Sequence, residues 1–432
     1  MTHVDVARIL DESVLSEVDE RLAASDALLA TRWSGLVPGR QPVHTVYVPI
    51  DAYRRGLAAD WGRKALDSAR QADGTAQAGT AVGQDMDTEA VAAVAAAVGM
   101  PDDAGLVGAV VAKLRSAPIE DLRLDAEDGY GDHPDRESAD VIEAATTLAA
   151  EVVDGTAPAR VGIRFKCLES PTRRRGLESL ELFLSTLLRE AGSLPSGLRL
   201  TCPKVTSVEQ VAVMASVLEQ LEVGLGLSAR TLTFEVQAET PQVILGADGT
   251  ITAARMLEAG EGRISGVHYG TYDYSAALGV DGAYQASDHP VADQAKDLLQ
   301  LALAGTPVEL SDGSTNLVPE GPGAVHAWSE HARLVTRHLR RGIRQGWDLH
   351  PAHLVTRYLA TYAHYRNGYE ATASRLAAYL GGVEGDVMDE PATARALAAF
   401  LVRGLACGAL SAAEIGSAAP ELDLAAVTAL AR

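Results

Sequence analysis

Three carboxylates, Asp125, Glu127 and Asp128, crowd into the stretch LRLDAEDGYG, where an alternating apolar segment runs straight into them and glycine ends it. Alternate residues of a strand face the same way, so Asp125 and Glu127 are expected to share a side, with Asp128 opposite or in the turn. Other charged groups close similar apolar runs. Arg164 and Lys166 follow VGI, Lys204 follows LRLTCP, Glu239 ends TFEVQAE, Asp273 stands in YGTYD and His350 in GWDLHP. Each has a structural reading: a carboxylate capping a helix or facing water, an arginine in an ion pair, a histidine satisfied in a core. Taken together, like charges at one opening repel unless cations neutralise them. A hard divalent ion, Arg164 and Lys204 are the available cations. Glu239 and Asp273 suit Mg2+, which takes one or two protein carboxylates and leaves positions for water and substrate oxygens. A guanidinium at Arg164 can grip a substrate carboxylate by two parallel hydrogen bonds. Lys204 fits either a salt bridge or a positive field beside an enolate.

Composition removes several other functions. The chain of 432 residues carries a net charge of −21, which leaves no cationic field for a phosphate backbone or an anionic membrane. Nucleic acid and membrane are therefore not expected as partners. No run reaches the ~18 consecutive apolar residues of a membrane span. The opening MTHVDVARILDESV is acidic and lacks the layout of a secretory signal. Cys167, Cys202 and Cys407 are far apart and form no C-x-x-C pair, which fits a reducing cytoplasm. No phosphate-cradling or dinucleotide-binding glycine motif and no H-E-x-x-H occurs. The densest basic run, Arg173 to Arg175 in PTRRRG, reads as a solvated helix start or a phosphate contact.

The elements that must position these residues follow from periodicity. Eight short β-rich runs, HTVYVPI, DLRLDAE, ARVGIRF, LRLTCPKV, LTFEVQAE, RISGVHYG, PVELSD and GWDLHP, alternate with amphipathic helical stretches. The helix SVEQVAVMASVLEQL is expected to be capped by Ser207. Strands alternating with crossover helices predict an α/β fold, a (β/α)8 TIM barrel, whose catalytic groups gather at the C-terminal strand ends. The expected layout is an N-terminal helical segment over 1–40 packed on the barrel, the catalytic barrel over 41–353, and a C-terminal all-helical extension over 354–432. An insertion near 71–118 interrupts the barrel, and its Gly/Ala/Gln-rich piece QADGTAQAGTAVGQ reads as a mobile loop or a lid.

Several of these motifs, in this order, resemble the citrate lyase β-subunit and malyl-CoA lyase group of aldolases, within the phosphoenolpyruvate/pyruvate barrel superfamily. VYVPID is similar to its opening strand, LDAEDGYG to its L-D-L-E-D turn, VGIRF to its arginine strand and CPKVTSVEQV to its P-K-V-E-S helix start. QAETP resembles its I-E-T segment, GTYDYSAALG its G-x-x-D-L-A-x-x-L-G segment and GWDLHPAHL its late I-H-P segment. Phe165 and Lys166 depart from the small residue and asparagine usual after the arginine, and Ala126 replaces an aliphatic residue. The resemblance implies a divergent Mg2+-dependent carbon–carbon lyase or aldolase acting on a 2-oxo acid or acyl thioester. Glu239 and Asp273 correspond to metal ligands, and Arg164 to the carboxylate-binding and catalytic arginine. Asp125, Glu127 and Asp128 correspond to the acidic catalytic turn, with Lys204 beside it, and Gly270, Thr271 and His350 to substrate-binding positions. A phosphoenolpyruvate-type enzyme or a non-catalytic barrel scaffold are the other readings. Related barrels use their C-terminal helices between subunits, so Tyr358, Tyr362, Tyr365, Tyr369 and Tyr379 suggest a homo-oligomer, a trimer or hexamer.

Overall fold

In the computed structural model, which describes residues 10–33, 40–72, 84–101, 103–382 and 390–431, the eight expected runs are eight strands. They are β1 (His44–Pro49), β2 (Asp121–Asp125), β3 (Arg160–Arg164), β4 (Leu198–Cys202), β5 (Phe234–Ala238), β6 (Ile264–Tyr269), β7 (Glu309–Ser311) and β8 (Gly346–Asp348). All neighbours pair in parallel in the order β7-β6-β5-β4-β3-β2-β1-β8, and a bridge between Ser311 and Gln345 brings β7 back to the β8 side. The architecture is a (β/α)8 TIM barrel.

Alternation explains which side chains meet. Val46, Val48, Leu122, Leu124, Val161, Ile163, Leu200, Val236 and Val267 face outward into the main apolar core under the helices. The residues between them face inward, and many are polar. Arg123 donates to Asp121, Glu235 and Thr201 inside the barrel, and His268 lies 3.1 Å from Glu235. Such paired interior charges are costly to break singly, because the survivor is left buried without its partner. The barrel thus holds its strand ends in register through directional bonds as well as apolar packing. Helix Val208–Gly224 begins as expected, with the Ser207 hydroxyl accepting from Gln210 N–H.

A second core lies beside the barrel. Helices Leu57–Ala72, Gln84–Ala97 and Ala104–Ser116 fill the first crossover, and they pack against His353–Arg366 and the helices that follow it. The long crossover is therefore largely helical and buried on one side; residues 73–83, the centre of the glycine-rich piece, lie outside the described residues. Tyr358, Tyr362 and Tyr365 are buried in this core, where the hydroxyls of Tyr358 and Tyr362 donate to the carbonyls of Pro118 and Cys407. These three tyrosines serve the chain's own packing and form no exposed stripe. The helix Glu12–Arg32 differs from expectation too: it buries none of its residues and touches the barrel at its end, through Arg32 donating to the Ala254 carbonyl.

Candidate active site

The strand β2 stops at Asp125, so the alternation does not continue to Glu127, and the next residues turn. The Asp125 carboxylate explains the turn. Its Oδ1 accepts from Arg164 Nε at 2.7 Å and Glu127 N–H at 2.9 Å, and its Oδ2 from Arg164 Nη2 at 2.6 Å and Gly129 N–H at 2.8 Å. A Cβ at Gly129 would sit 2.5 Å from Asp125 Oδ2, which is why this turn ends in glycine. Lys166, two residues beyond Arg164, donates from Nζ to the carbonyls of Ala126 (2.9 Å) and Gly131 (2.8 Å) and fixes both ends of the turn.

The turn delivers Glu127 and Asp128 to one cation. Lys204 Nζ lies 3.0 Å from both Glu127 oxygens, 2.6 Å from both Asp128 oxygens and 3.9 Å from Asp273 Oδ2. Asp128 thus joins Glu127 instead of pointing away from it. Lys204 holds a left-handed backbone, φ +48°, uncommon for a side-chain-bearing residue, and its N–H donates to Glu239 Oε1 at 2.8 Å. Burial pushes the Glu127 carboxyl up to about 7, and its hydrogen bond with Asp128 adds to this against the charges of Arg164 and Lys204. Burial acts on Asp128 in the same sense, but the bonds from Glu127 and Lys204 outweigh it and hold Asp128 below its ordinary value. Of the pair, Glu127 is thus the one on which a proton is favoured and Asp128 the one on which the charge is favoured.

Glu239, at the end of β5, is buried, and burial raises it to about 7; Arg164 and Lys204 oppose this, and Asp273 reinforces it. A Cβ at Gly270 would lie 2.4 Å from Glu239 Cβ and 2.7 Å from Oε2, so glycine is what lets β6 approach this carboxylate. Asp273 follows in the first turn of Thr271–Ala277, with its side chain half-exposed. Arg164 is buried with its guanidinium 4.7 Å from the Tyr47 ring centre and 5.4 Å from that of Trp347. Its Nη1 lies 3.4 Å from Gln237 Oε1. Asp125 occupies the Nε–Nη2 edge, and the Nη1–Nη2 end is left with only this long neutral bond and Asp128 Oδ2 at 4.0 Å.

Asp125, Glu127, Asp128, Arg164, Lys204, Glu239 and Asp273 are thus brought together, and Gly270 backs them. Thr271 is buried and its hydroxyl donates to the Ser314 carbonyl at 3.3 Å. His350 stands apart on the rim, 3.3 Å from Glu320, its Nδ1 accepting from Ala352 N–H. Tyr47, Trp347 and Gln237 carry no charge to announce them in sequence; their inward phase on β1, β8 and β5 is the signal that finds them. Arg175 pairs with Asp132 and Glu137, while Arg173 and Arg174 are exposed at a helix start. Among the described residues no three His, Cys, Asp or Glu side chains form a ready-made metal cage. Two carboxylates, Glu239 buried and Asp273 half-exposed, fit an ion such as Mg2+ that retains water and substrate oxygens.

A parallel barrel with an acidic, cation-bridged group at its C-terminal strand ends defines the general class. The chain belongs to the family DUF6986, a domain of unknown function, which it matches over residues 22–432. No curated protein matches it. Among solved structures it is similar to a citrate lyase from Burkholderia xenovorans LB400, with 18% identity, a TM-score of 0.56, and coverage of 90% of this chain and 100% of that one. That likeness shows the shared fold. Weaker likenesses reach a Haloferax volcanii malate synthase in a magnesium/glyoxylate complex (12% identity, TM-score 0.46, 90% and 97% coverage) and the M. tuberculosis citrate lyase β subunit complexed with oxaloacetate and magnesium (16%, 0.41, 74% and 96%). No described helix is long and apolar enough to cross a membrane.

Proposed function

We propose that this protein is a Mg2+-dependent carbon–carbon lyase or aldolase that acts on a 2-oxo acid or hydroxyacyl substrate, free or as a thioester, in the cytoplasm. The observation that carries the reading is Lys204 joined both to the buried Glu239, through its N–H, and to Asp273, 3.9 Å from its Nζ, with the buried Arg164 at the end of the neighbouring strand β3. Glu239 and Asp273 hold the ion, which when bound polarises the substrate's oxo oxygen and offsets enolate charge. The Nη1–Nη2 end of Arg164 binds the substrate carboxylate, and the rings of Tyr47 and Trp347 keep the guanidinium from swinging away. Glu127, raised to about 7 and so partly protonated near neutrality, delivers a proton to the enolate carbon, or in the other direction takes one. Lys204 keeps Asp128 ionised and adds positive field. Gly270, Thr271 and His350 are the further substrate-binding positions in this proposal, His350 from the rim. A homo-oligomer, trimer or hexamer, is proposed as the working form, supported by the exposed Leu15, Val18, Leu22 and Leu29 of Glu12–Arg32.

Calorimetry with Mg2+ and oxalate tests the assignment. Glu239→Ala and Asp273→Ala are expected each to abolish the Mg2+-dependent binding of oxalate while circular dichroism stays as in the parent. Parent-like binding in either variant defeats the metal site. A thermal-shift screen of 2-oxo acids and acyl-CoA thioesters, with and without Mg2+, then identifies the substrate class. No response from any 2-oxo acid favours the non-catalytic barrel.

A further inference from the structure

The opposite, N-terminal face of the barrel holds a separate cavity of about 400 Å3. It lies between the segments entering β1, β7 and β8 and the helix Pro391–Cys407. That volume falls in the range of small-molecule sites, about 300–1,000 Å3. Its walls include Leu303, Val308, Tyr365 and Val402, and Arg344 and Arg403 lie among them.

The charge at these two arginines is out of character with the chain. With 58 Asp and Glu to choose from, the other arginine and the glutamate of the lining are matched: Arg40 with Glu120, and Glu309 with Arg160. Arg344 and Arg403 have no carboxylate partner among the described residues. The Arg344 Nε is buried without a hydrogen-bond acceptor, and its Nη1 donates only to the Leu339 carbonyl at 3.0 Å. Arg403 is held below its ordinary value by burial and then by the Arg344 charge. His364 nearby is pushed down to about 4 by burial and by the charges of Arg344 and Arg340. Two half-buried guanidinium groups that repel each other, in walls of mixed apolar and polar character and with donors unspent, form a receptor for negative charge.

We propose that this cavity is a second ligand site, binding a small amphiphilic anion. Its carboxylate or phosphate sits between Arg344 and Arg403, and its aliphatic body lies against Leu303, Val308, Tyr365 and Val402. Because the site occupies the face away from the catalytic strand ends, it serves an effector and not a substrate. The proposal stands apart from the lyase reading.

Hexanoate, hexyl phosphate and the uncharged hexanol are the probes, added to the full chain in anion-poor buffer and followed by calorimetry. At least one of the two anions is expected to bind the parent and to lose tenfold or more in affinity in Arg344→Gln/Arg403→Gln. Hexanol is expected to bind neither protein measurably. The Glu239→Ala variant should bind the anion as the parent does, which separates this cavity from the active site. Arg403→Gln alone removes a like-charge neighbour and should melt no lower than the parent without anion, so it serves as the reading if the double variant fails to fold. Absence of anion binding to the parent, equal binding to parent and Arg403→Gln, loss of binding in Glu239→Ala, or hexanol binding as well as the anions would each overturn the site.

Discussion

Lys204 decides what kind of aldolase chemistry the residues permit. A lysine that forms an imine with substrate must reach its neutral amine, and enzymes achieve this by desolvation or a neighbouring cation. Here the burial of Lys204 is outweighed by Asp128 and Glu127, which hold it above its ordinary value as an ammonium. Borohydride treatment with pyruvate is therefore expected to leave Lys204 unmodified by mass spectrometry, while EDTA removes activity. A borohydride adduct on Lys204, with activity surviving EDTA, would show an imine mechanism. The same contacts make the residue a clamp. Lys204→Met leaves Glu127 and Asp128 facing each other without their cation, so Glu127 should hold its proton to higher pH. The expected outcome is a pH–rate profile whose Glu127-dependent limb moves upward, the basic limb in the direction where Glu127 donates and the acidic limb where it accepts, with at least a tenfold fall in kcat, since general acid–base catalysis is worth about 100-fold or more. An unmoved profile would assign Lys204 a structural part alone.

At the scale of elements, the acidic turn is held by a residue of the next strand. Lys166→Met should free the carbonyls of Ala126 and Gly131, at a cost of about 1–3 kcal/mol for buried acceptors left unpaired. Activity is expected to fall by more than that stability loss explains, because Glu127 and Asp128 ride on the released turn. A variant with parent-like kcat and a lowered melting temperature would make Lys166 purely structural. The strands themselves were readable, because runs such as VYVP and VGIR combine β-branched residues with a sharp turn or charge at the end. The charged site residues were readable for the same reason, since a barrel fixes which end of each strand is chemical. The saturation of Asp125 was not readable: strand alternation predicted a shared side with Glu127, and only the Gly129 approach shows the turn wrapping around the carboxylate. Tyr358, Tyr362 and Tyr365 misled in another way. Helical spacing shows that aromatics share a face, but not whether that face meets a partner or the chain's own inserted helices.

The whole molecule joins two cores, and its buried histidines tie its stability to pH. The extension contributes Leu401, Ile415 and Val427 to the second core, so ending the chain after Gly381 should lower the melting temperature whatever the oligomeric state measured by light scattering. Across the junction of the cores, Asp348 accepts from Arg357, and it lies 3.0 Å from both His44 and His331. Burial holds His44, His331 and His338 below the ordinary histidine value of 6.5, and it takes His353 down to about 3 and His364 to about 4. Each of these rings therefore binds its proton less readily in the folded chain than once unfolded. Their contribution is complete above pH 6.5 and is lost as the pH falls toward the folded values, at up to about 1.4 kcal/mol per pH unit for His353 and His364, whose folded values of about 3 and about 4 lie far below it. Glu127 and Glu239, raised to about 7, act in the opposite sense between their ordinary 4.5 and 7 and offset part of the histidines' effect. The melting temperature should therefore drop from pH 7 to pH 5, and His364→Gln should remove about one proton from the uptake on unfolding at pH 5. A melting temperature that is flat or rises over this interval would mean that the histidines are protonated in the folded protein, and that the Asp348 junction is built from charged rings.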